Sequence, residues 1–276
     1  MNIFITFRNY KKAIDCETRE QFVTAYDKHI YVKTWIPDDD KKKYPIILFH
    51  DSLGCVQLWR EFPALLAQTM KQCVVAYDRL GFGLSDPRSK KPNINFIAEE
   101  AEIIIPLLLK QLSIDKFVAF GHSVGGCMAI HCAAYFPNEC LAVITESAQA
   151  FIETRTIDGI SNAKKAFANS QELTKLQKYH GEKAEGVLAA WTEVWLSSEF
   201  SNWSLKNILP LVLCPLLAIH GDHDEYGSVA FPAVLTSLVR GKATQFILTN
   251  CGHVPHREQP DLVLKEVSKF LSINVL

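Results

Sequence analysis

The sequence predicts an α/β protein with a mostly parallel central sheet flanked by helices. Three observations predict it. Short apolar runs such as Pro45–His50 (PIILFH) and Leu216–His220 (LLAIH) read as strands buried on both faces. Helical patterns separate these runs, as parallel strands require. One long stretch, 151–209, breaks the rhythm: its composition is helical and it holds no convincing buried strand.

The elements follow in order. Gln21–Tyr26 and Ile30–Pro37 read as a β-hairpin around Asp27-Lys28-His29. The run DDDKKKY after it reads as a solvated charged loop. Pro45–His50 is the first buried strand, Leu58–Met70 a helix, and Gln72–Tyr77 the next buried strand. Asn93 can cap a helix running towards Gln111, with Pro106 expected to kink it. Phe117–Phe120 is a buried strand followed by a helix over Val124–Phe136, and Leu141–Thr145 is another strand. After the helical stretch come the strand Leu216–His220, a helix over Val229–Arg240, a strand over Thr244–Leu248 and a closing amphipathic helix over Asp261–Leu271.

Composition excludes several classes. The chain has 276 residues, 48% hydrophobic and 21% charged, with a net charge of −1. That length buries a core without staples, and the apolar fraction rules out disorder as a dominant state. The charge balance gives no global field for nucleic acid. The eight cysteines form no CxxC and no zinc-finger spacing. Most sit in apolar runs and read as small buried hydrophobes in a reducing compartment. The N-terminal segment shows no signal-peptide pattern. The uncharged run Phe117–Phe136 is broken by Gly121, Gly125 and Gly126, and Asn207–Gly221 by Pro210 and Pro215. The expectation is a soluble cytoplasmic protein with no membrane insertion.

The strongest chemical signal is Gly121-His122-Ser123-Val124-Gly125, a G-x-S-x-G between a strand and a helix. A nucleophile on a sharp strand-to-helix turn needs small neighbours, because the chain passes close by. A serine hydroxyl is a weak nucleophile near neutral pH and needs a base. His253, between the last strand and last helix, is the first candidate and His256 its competitor. His29, His180 and His223 lie in polar segments and read as surface residues, and His131 as a core histidine. The base needs a carboxylate to hold its tautomer. Asp222 and Asp224 follow the strand LLAIH, where parallel sheets place their sites, and Glu146 past the strand LAVIT is a third option.

Four motifs in this order resemble those of the α/β-hydrolase superfamily, from about Tyr26 onwards. They are His50-Asp51-Ser52-Leu53-Gly54, similar to an HGxxG loop; Asp78 to Asp86, similar to a DRxGxGxSD loop; the elbow GHSVGG; and Gly221 to Asp224 with Gly252-His253. The resemblance implies the α/β-hydrolase fold as one domain over 1–276, with a helical cap at 151–209. It implies Ser123 as nucleophile, His253 as general base and Asp224, by the GxxD pattern, as the acid. The oxyanion hole would use the backbone N–H groups of Val124 and Ser52. It reads Asp78, Arg79 and Ser85 as scaffolding of a tight loop. One departure is Asp51, where the family has glycine; its side chain is expected to point away from the oxyanion.

His50, Asp51, Trp191 and Trp195 are pocket candidates, with Trp203 also able to line a cavity; a tryptophan stripe can equally pack a cap onto the sheet. The implied activity is cleavage of a small carboxylic ester, the substrate apolar or neutral, with no metal and no organic cofactor. The same constellation serves thioesterases, lactonases, amidases and C–C bond hydrolases, and a pocket of this kind also serves non-enzymatic receptors. The sequence does not reveal oligomeric state.

Overall fold

The computed structural model describes residues 16–40 and 44–275. The N-terminal reading and part of the DDDKKKY loop therefore fall outside the described residues. The strands are β1 (Glu17–Ala25), β2 (Lys28–Ile36), β3 (Ile46–Phe49), β4 (Val74–Tyr77), β5 (Phe117–His122), β6 (Cys140–Glu146), β7 (Leu216–Gly221) and β8 (Ala243–Leu248). They form one eight-stranded sheet in the order β1-β2-β4-β3-β5-β6-β7-β8. The first two strands pair antiparallel with their neighbours, and the rest run parallel.

The side-chain period of two divides the core between the sheet's faces. Ile47, Phe49, Phe117 and Ala119 pack on one face, Ile46, Leu48, Val118 and Phe120 on the other. The first face is covered by α2 (Phe96–Glu99), α3 (Ile105–Gln111), α4 (Val124–Tyr135) and α8 (Ala230–Leu238). The second is covered by α1 (Phe62–Met70) and α10 (Pro260–Asn274). Between β6 and β7 lie α5 (Thr154–Ala166), α6 (Ser170–His180) and α7 (Ala184–Trp195). Both ends of this excursion meet where Phe151 bridges Ser204 and the Leu205 N–H donates to the Ala150 carbonyl at 2.9 Å.

Five features differ from the sequence expectation. Asn93 does not cap the helix, which starts at Phe96 after Asn95; its Oδ1 instead accepts the Asn95 N–H at 2.6 Å. The hairpin turn is Tyr26-Asp27, because Ala25 already pairs with Lys28. Tyr26 takes φ 58°, the hand that two-residue hairpin turns favour. The helix expected from Leu58 is split into a 3-10 turn (Val56–Trp59) and α1, since Pro63 fits only a helix's first turn. Pro106 does not break its helix. A π-helical turn over Glu100–Ile104, closed by the Ile105 N–H on the Glu100 carbonyl, absorbs the strain just before it. A short helix α9 (Pro255–Glu258) precedes α10 and carries no long apolar period to announce it.

Candidate active site

Ser123 sits between β5 and α4 with φ 55° and ψ −126°, outside the helical and extended regions. The surroundings hold it there. Its N–H donates to the Glu146 carbonyl at 2.8 Å, and its carbonyl accepts from the Gly126 N–H at 2.8 Å. The glycines of the motif are needed for space. A Cβ at Gly121 would lie 2.1 Å from the Gly125 carbonyl oxygen, and one at Gly125 would lie 2.0 Å from that of Phe49. The packing that excludes those atoms also sets the turn that lifts Ser123 above the sheet.

Ser123 lines a cavity of about 120 Å³ with Asp51, Ser52, Leu53, Gln149, Trp191 and His253 among its other walls. His253 is held from behind: its Nδ1 faces both carboxylate oxygens of Asp224, at 2.8 and 2.9 Å. Asp224 is 1% exposed. Burial pushes its carboxyl up, but the charge and hydrogen bond of His253, with His220 and the Tyr226 N–H, outweigh it and hold the pKa below the ordinary value. With Nδ1 engaged by Asp224, Nε2 is the ring nitrogen left for a reacting proton. Asp222 is elsewhere, accepting the Cys251 N–H at 3.3 Å.

The competing histidine and carboxylate found each other. His256 Nδ1 lies 2.6 Å from Glu146 Oε2, both fully packed in the interior. Neither lines the Ser123 cavity. Burial lowers the His256 pKa against the pull of Glu146.

The loop after β3 is pinned at the Asp51 and Leu53 carbonyls and at the Leu53 and Gly54 N–H groups. The Asp51 carbonyl accepts His50 Nδ1 at 2.8 Å, Arg79 Nη2 at 2.7 Å and the Gly54 N–H at 3.3 Å. The Leu53 N–H donates to Asp51 Oδ1 at 2.8 Å, and the Leu53 carbonyl faces His180 Nε2 at 3.0 Å. Among the described residues, no hydrogen bond engages the N–H of Ser52 or that of Val124. The Asp51 carboxylate stays on the cavity wall but is turned to the elbow, its Oδ2 3.2 Å from His122 Nδ1.

Other expected positions separate. Trp191 and Trp195 line the cavity, whereas Trp203 stacks on Phe200 with ring centroids 5.3 Å apart. His50 lies outside the cavity walls, its Nε2 accepting the Arg79 N–H at 3.1 Å. Burial, then the Arg79 charge, push its pKa well down, so it stays neutral. Asp78 accepts the Val56 and Leu84 N–H groups, at 2.6 and 2.7 Å, which fixes the neighbouring loop. His29 and His223 are exposed, and burial lowers His131 to about 4. His180 corrects the surface reading: it is 2% exposed, and its Nδ1 accepts the Gly83 N–H at 2.9 Å.

Gln149, Thr156, Ile160 and Tyr226 line the cavity and were not anticipated. Gln149 donates through Nε2 to Ser123 Oγ at 3.3 Å. Its place just beyond β6, at the carboxyl end of a parallel strand, was the available signal. Tyr226 sets its ring against His253 at 4.7 Å. Among the described residues, no group of three or more His, Cys, Asp or Glu side chains is arranged to hold a metal ion. Nor is any helix there long and apolar enough to cross a membrane.

A parallel sheet with a strained serine above its carboxyl edge defines a protein class, and residues 44–207 match the family described as alpha/beta hydrolase fold. The chain belongs to that family. Among relatives, it is 29% identical over 161 residues to the serine hydrolase BPHL of Mus musculus, covering 55% of this chain and 53% of that one. The chain thus spans about half the length of that relative. It is 26% identical over 206 residues to a putative esterase/lipase of Haemophilus influenzae, covering 67% and 69% of the two chains. The fold matches 2-hydroxy-6-oxo-6-phenylhexa-2,4-dienoate hydrolase of Rhodococcus with a TM-score of 0.79, at 16% identity over 93% of this chain and 99% of that one.

Proposed function

We propose that the chain is a serine hydrolase that cleaves a small, neutral carboxylic ester through an acyl-enzyme. One observation carries the reading: the strained Ser123 shares a cavity with a histidine whose far nitrogen is held by a buried carboxylate. His253 takes the Ser123 hydroxyl proton as Oγ attacks the ester carbonyl. The N–H groups of Val124 and Ser52 receive the oxyanion, one such donor being worth about 3 kcal/mol. His253 then gives its proton to the leaving alkoxide, and the alcohol departs. Water, deprotonated by His253, attacks the acyl carbon, and the acid leaves with Ser123 restored.

The size and charge of the cavity support a small neutral substrate. A space of about 120 Å³ is of the order of a cavity that accepts benzene, so it suits a short acyl group better than a fatty acyl chain. The one acidic side chain on its wall, Asp51, is matched by His122. We read α5 to α7 as a cap over the nucleophile, because Thr156, Ile160, Trp191 and Trp195 supply one side of the cavity. The eight free thiols fit a reducing, cytoplasmic setting.

The test is a panel of p-nitrophenyl esters of increasing acyl length, run beside matched thioesters and lactones. Highest kcat/KM on acetyl or butyryl esters is expected. A preference for thioesters or lactones would move the assignment to that bond. No turnover of any of them, with a bound small molecule, would favour a receptor.

A further inference from the structure

We propose that Asp51 and His122 form an ion pair that keeps the loop bearing the Ser52 N–H in register with the elbow for the oxyanion, making both residues positioning residues. The inference rests on the serine-hydrolase reading and adds to it.

The argument starts from His122. Its Nε2 lies 2.8 Å from the backbone carbonyl of His253, which can only accept, so Nε2 carries a proton. Its Nδ1 lies 3.2 Å from the Asp51 carboxylate, and that carboxylate already accepts the Leu53 N–H on its other oxygen. Nδ1 therefore donates as well, and a ring with two donors is an imidazolium. The His122 side chain is 2% exposed and that of Asp51 26%, so the pair is closed to water at its His122 end. Burial opposes the charge on His122, and Asp51 more than offsets it, with Glu146 and the His253 carbonyl adding to the effect.

The pair joins three segments that must keep register. His122 precedes the nucleophile. Its Nε2 holds the backbone of His253, and its Nδ1 holds the side chain of Asp51. Asp51 in turn ties the Leu53 N–H through its side chain while its carbonyl holds the preceding peptide, whose Ser52 N–H has no partner among the described residues. Losing the carboxylate frees the Leu53 N–H and unties the loop from His122. The peptide that carries the Ser52 N–H keeps the hydrogen bonds on its own carbonyl, that of Asp51, so what is lost is its register with the elbow. The glycine usual in the family at this position would supply no such tie. The other groups facing the ring are His256, with centroids 5.0 Å apart, Glu146 behind it, His253 at 5.1 Å and Trp59 at 6.3 Å. Arg79 and Arg257 are further cations that feel the Asp51 charge.

A pH signature follows. When His122 gives up the Nδ1 proton as pH rises through its raised pKa, a lone pair meets the Asp51 carboxylate and the tie fails. Asparagine at position 51 keeps the geometry without the charge: its oxygen accepts from Leu53, and its amide donates to a neutral His122.

The experiment is kcat and KM against pH for the wild type, Asp51→Ala and Asp51→Asn on p-nitrophenyl acetate. Asp51→Ala is expected to lower kcat about tenfold to a hundredfold with KM within about twofold, as for a loss confined to the transition state. Asp51→Asn is expected to recover most of kcat near neutrality and to lack the loss with rising pH that His122 causes in the wild type. A wild-type kcat in Asp51→Ala, or superimposable wild-type and Asp51→Asn profiles, would overturn the inference. Should Asp51→Ala not fold, the ¹⁵N ring shifts of His122 in the wild type decide: both nitrogens protonated at neutral pH is expected, and a neutral ring overturns it. Fluorophosphonate labelling of wild-type Ser123 separates the two levels. Labelling with an unaltered Asp51→Ala kcat sinks only the ion-pair role, whereas an unlabelled wild type sinks the hydrolase reading and this inference with it.

Discussion

Two histidine–carboxylate pairs lie near each other with nearly the same geometry. His253 meets Asp224 at 2.8 Å and His256 meets Glu146 at 2.6 Å. The difference is what each ring faces on its other side. His253 faces the cavity it shares with Ser123, while His256 packs between Trp59 and Phe62, at 4.7 and 5.2 Å. A short bond to a carboxylate therefore does not make a general base. Access to the nucleophile does, and the second pair is left to hold α9 against β6.

The sharpest break of this comparison comes from removing each ring. His253→Ala and Ser123→Ala are expected to lower kcat/KM on p-nitrophenyl acetate at least about 10⁴-fold. His256→Ala leaves Glu146 buried without its partner, which costs about 3–5 kcal/mol and lowers the melting temperature on the order of 10 °C. Equal losses of turnover in both histidine variants, measured below their melting points, would erase the distinction.

The carboxylates repeat the contrast at smaller amplitude. Asp224→Asn is expected to lower kcat about 10³- to 10⁴-fold, because the amide no longer holds the right tautomer. Asp222→Asn, two residues away on the same loop, should change it less than about threefold, as expected of a surface polar substitution. Steady-state kinetics on the two variants tests the register of the GxxD reading.

The pairs also titrate in different windows. Burial leads the effects on His256 and its folded pKa falls below the ordinary 6.5, so the neutral ring is the form the fold keeps. Its contribution to stability is full above that value and is lost as pH falls through it towards the lowered pKa. Asp224 is held below the ordinary 3.8, so its contribution persists to lower pH and is lost only as pH falls through its own lowered pKa. Thermal melts of the wild type should thus drop between pH 7 and 5, and less so in His256→Gln. Identical pH slopes in the two proteins would contradict the assignment.

The smallest effect is one of selectivity. Trp191→Ala enlarges the cavity and should raise the butyryl-to-acetyl ratio of kcat/KM about threefold to tenfold, within what a few methylenes can be worth. An unchanged ratio would place the acyl group elsewhere.

Much of this was legible in the sequence, and what was not has a common cause. The buried strands were readable because both faces of β3 and β5 are covered, which leaves unbroken apolar runs. Ser123 was readable because its turn dictates the glycines around it. The sequence put His253 ahead of His256 by its place after the last strand and by the motif resemblance, but both stand near the last helix, and it is packing that sends one ring to the cavity and the other to Glu146. His180 sits in a polar segment, and its burial is made by Gly83 and Leu53, distant in the chain. Asp51 looked like a flaw in a glycine motif until His122 came within reach of it. Local pattern records propensity and spacing, whereas these partners meet only across the folded sheet.

The central claim is that Ser123, activated by His253, is the nucleophile. Fluorophosphonate labelling followed by peptide mass spectrometry tests it most directly. The account predicts one adduct, on Ser123, that persists in His256→Gln and is lost in His253→Ala. No adduct on the folded wild type, or an adduct on another residue, would contradict it.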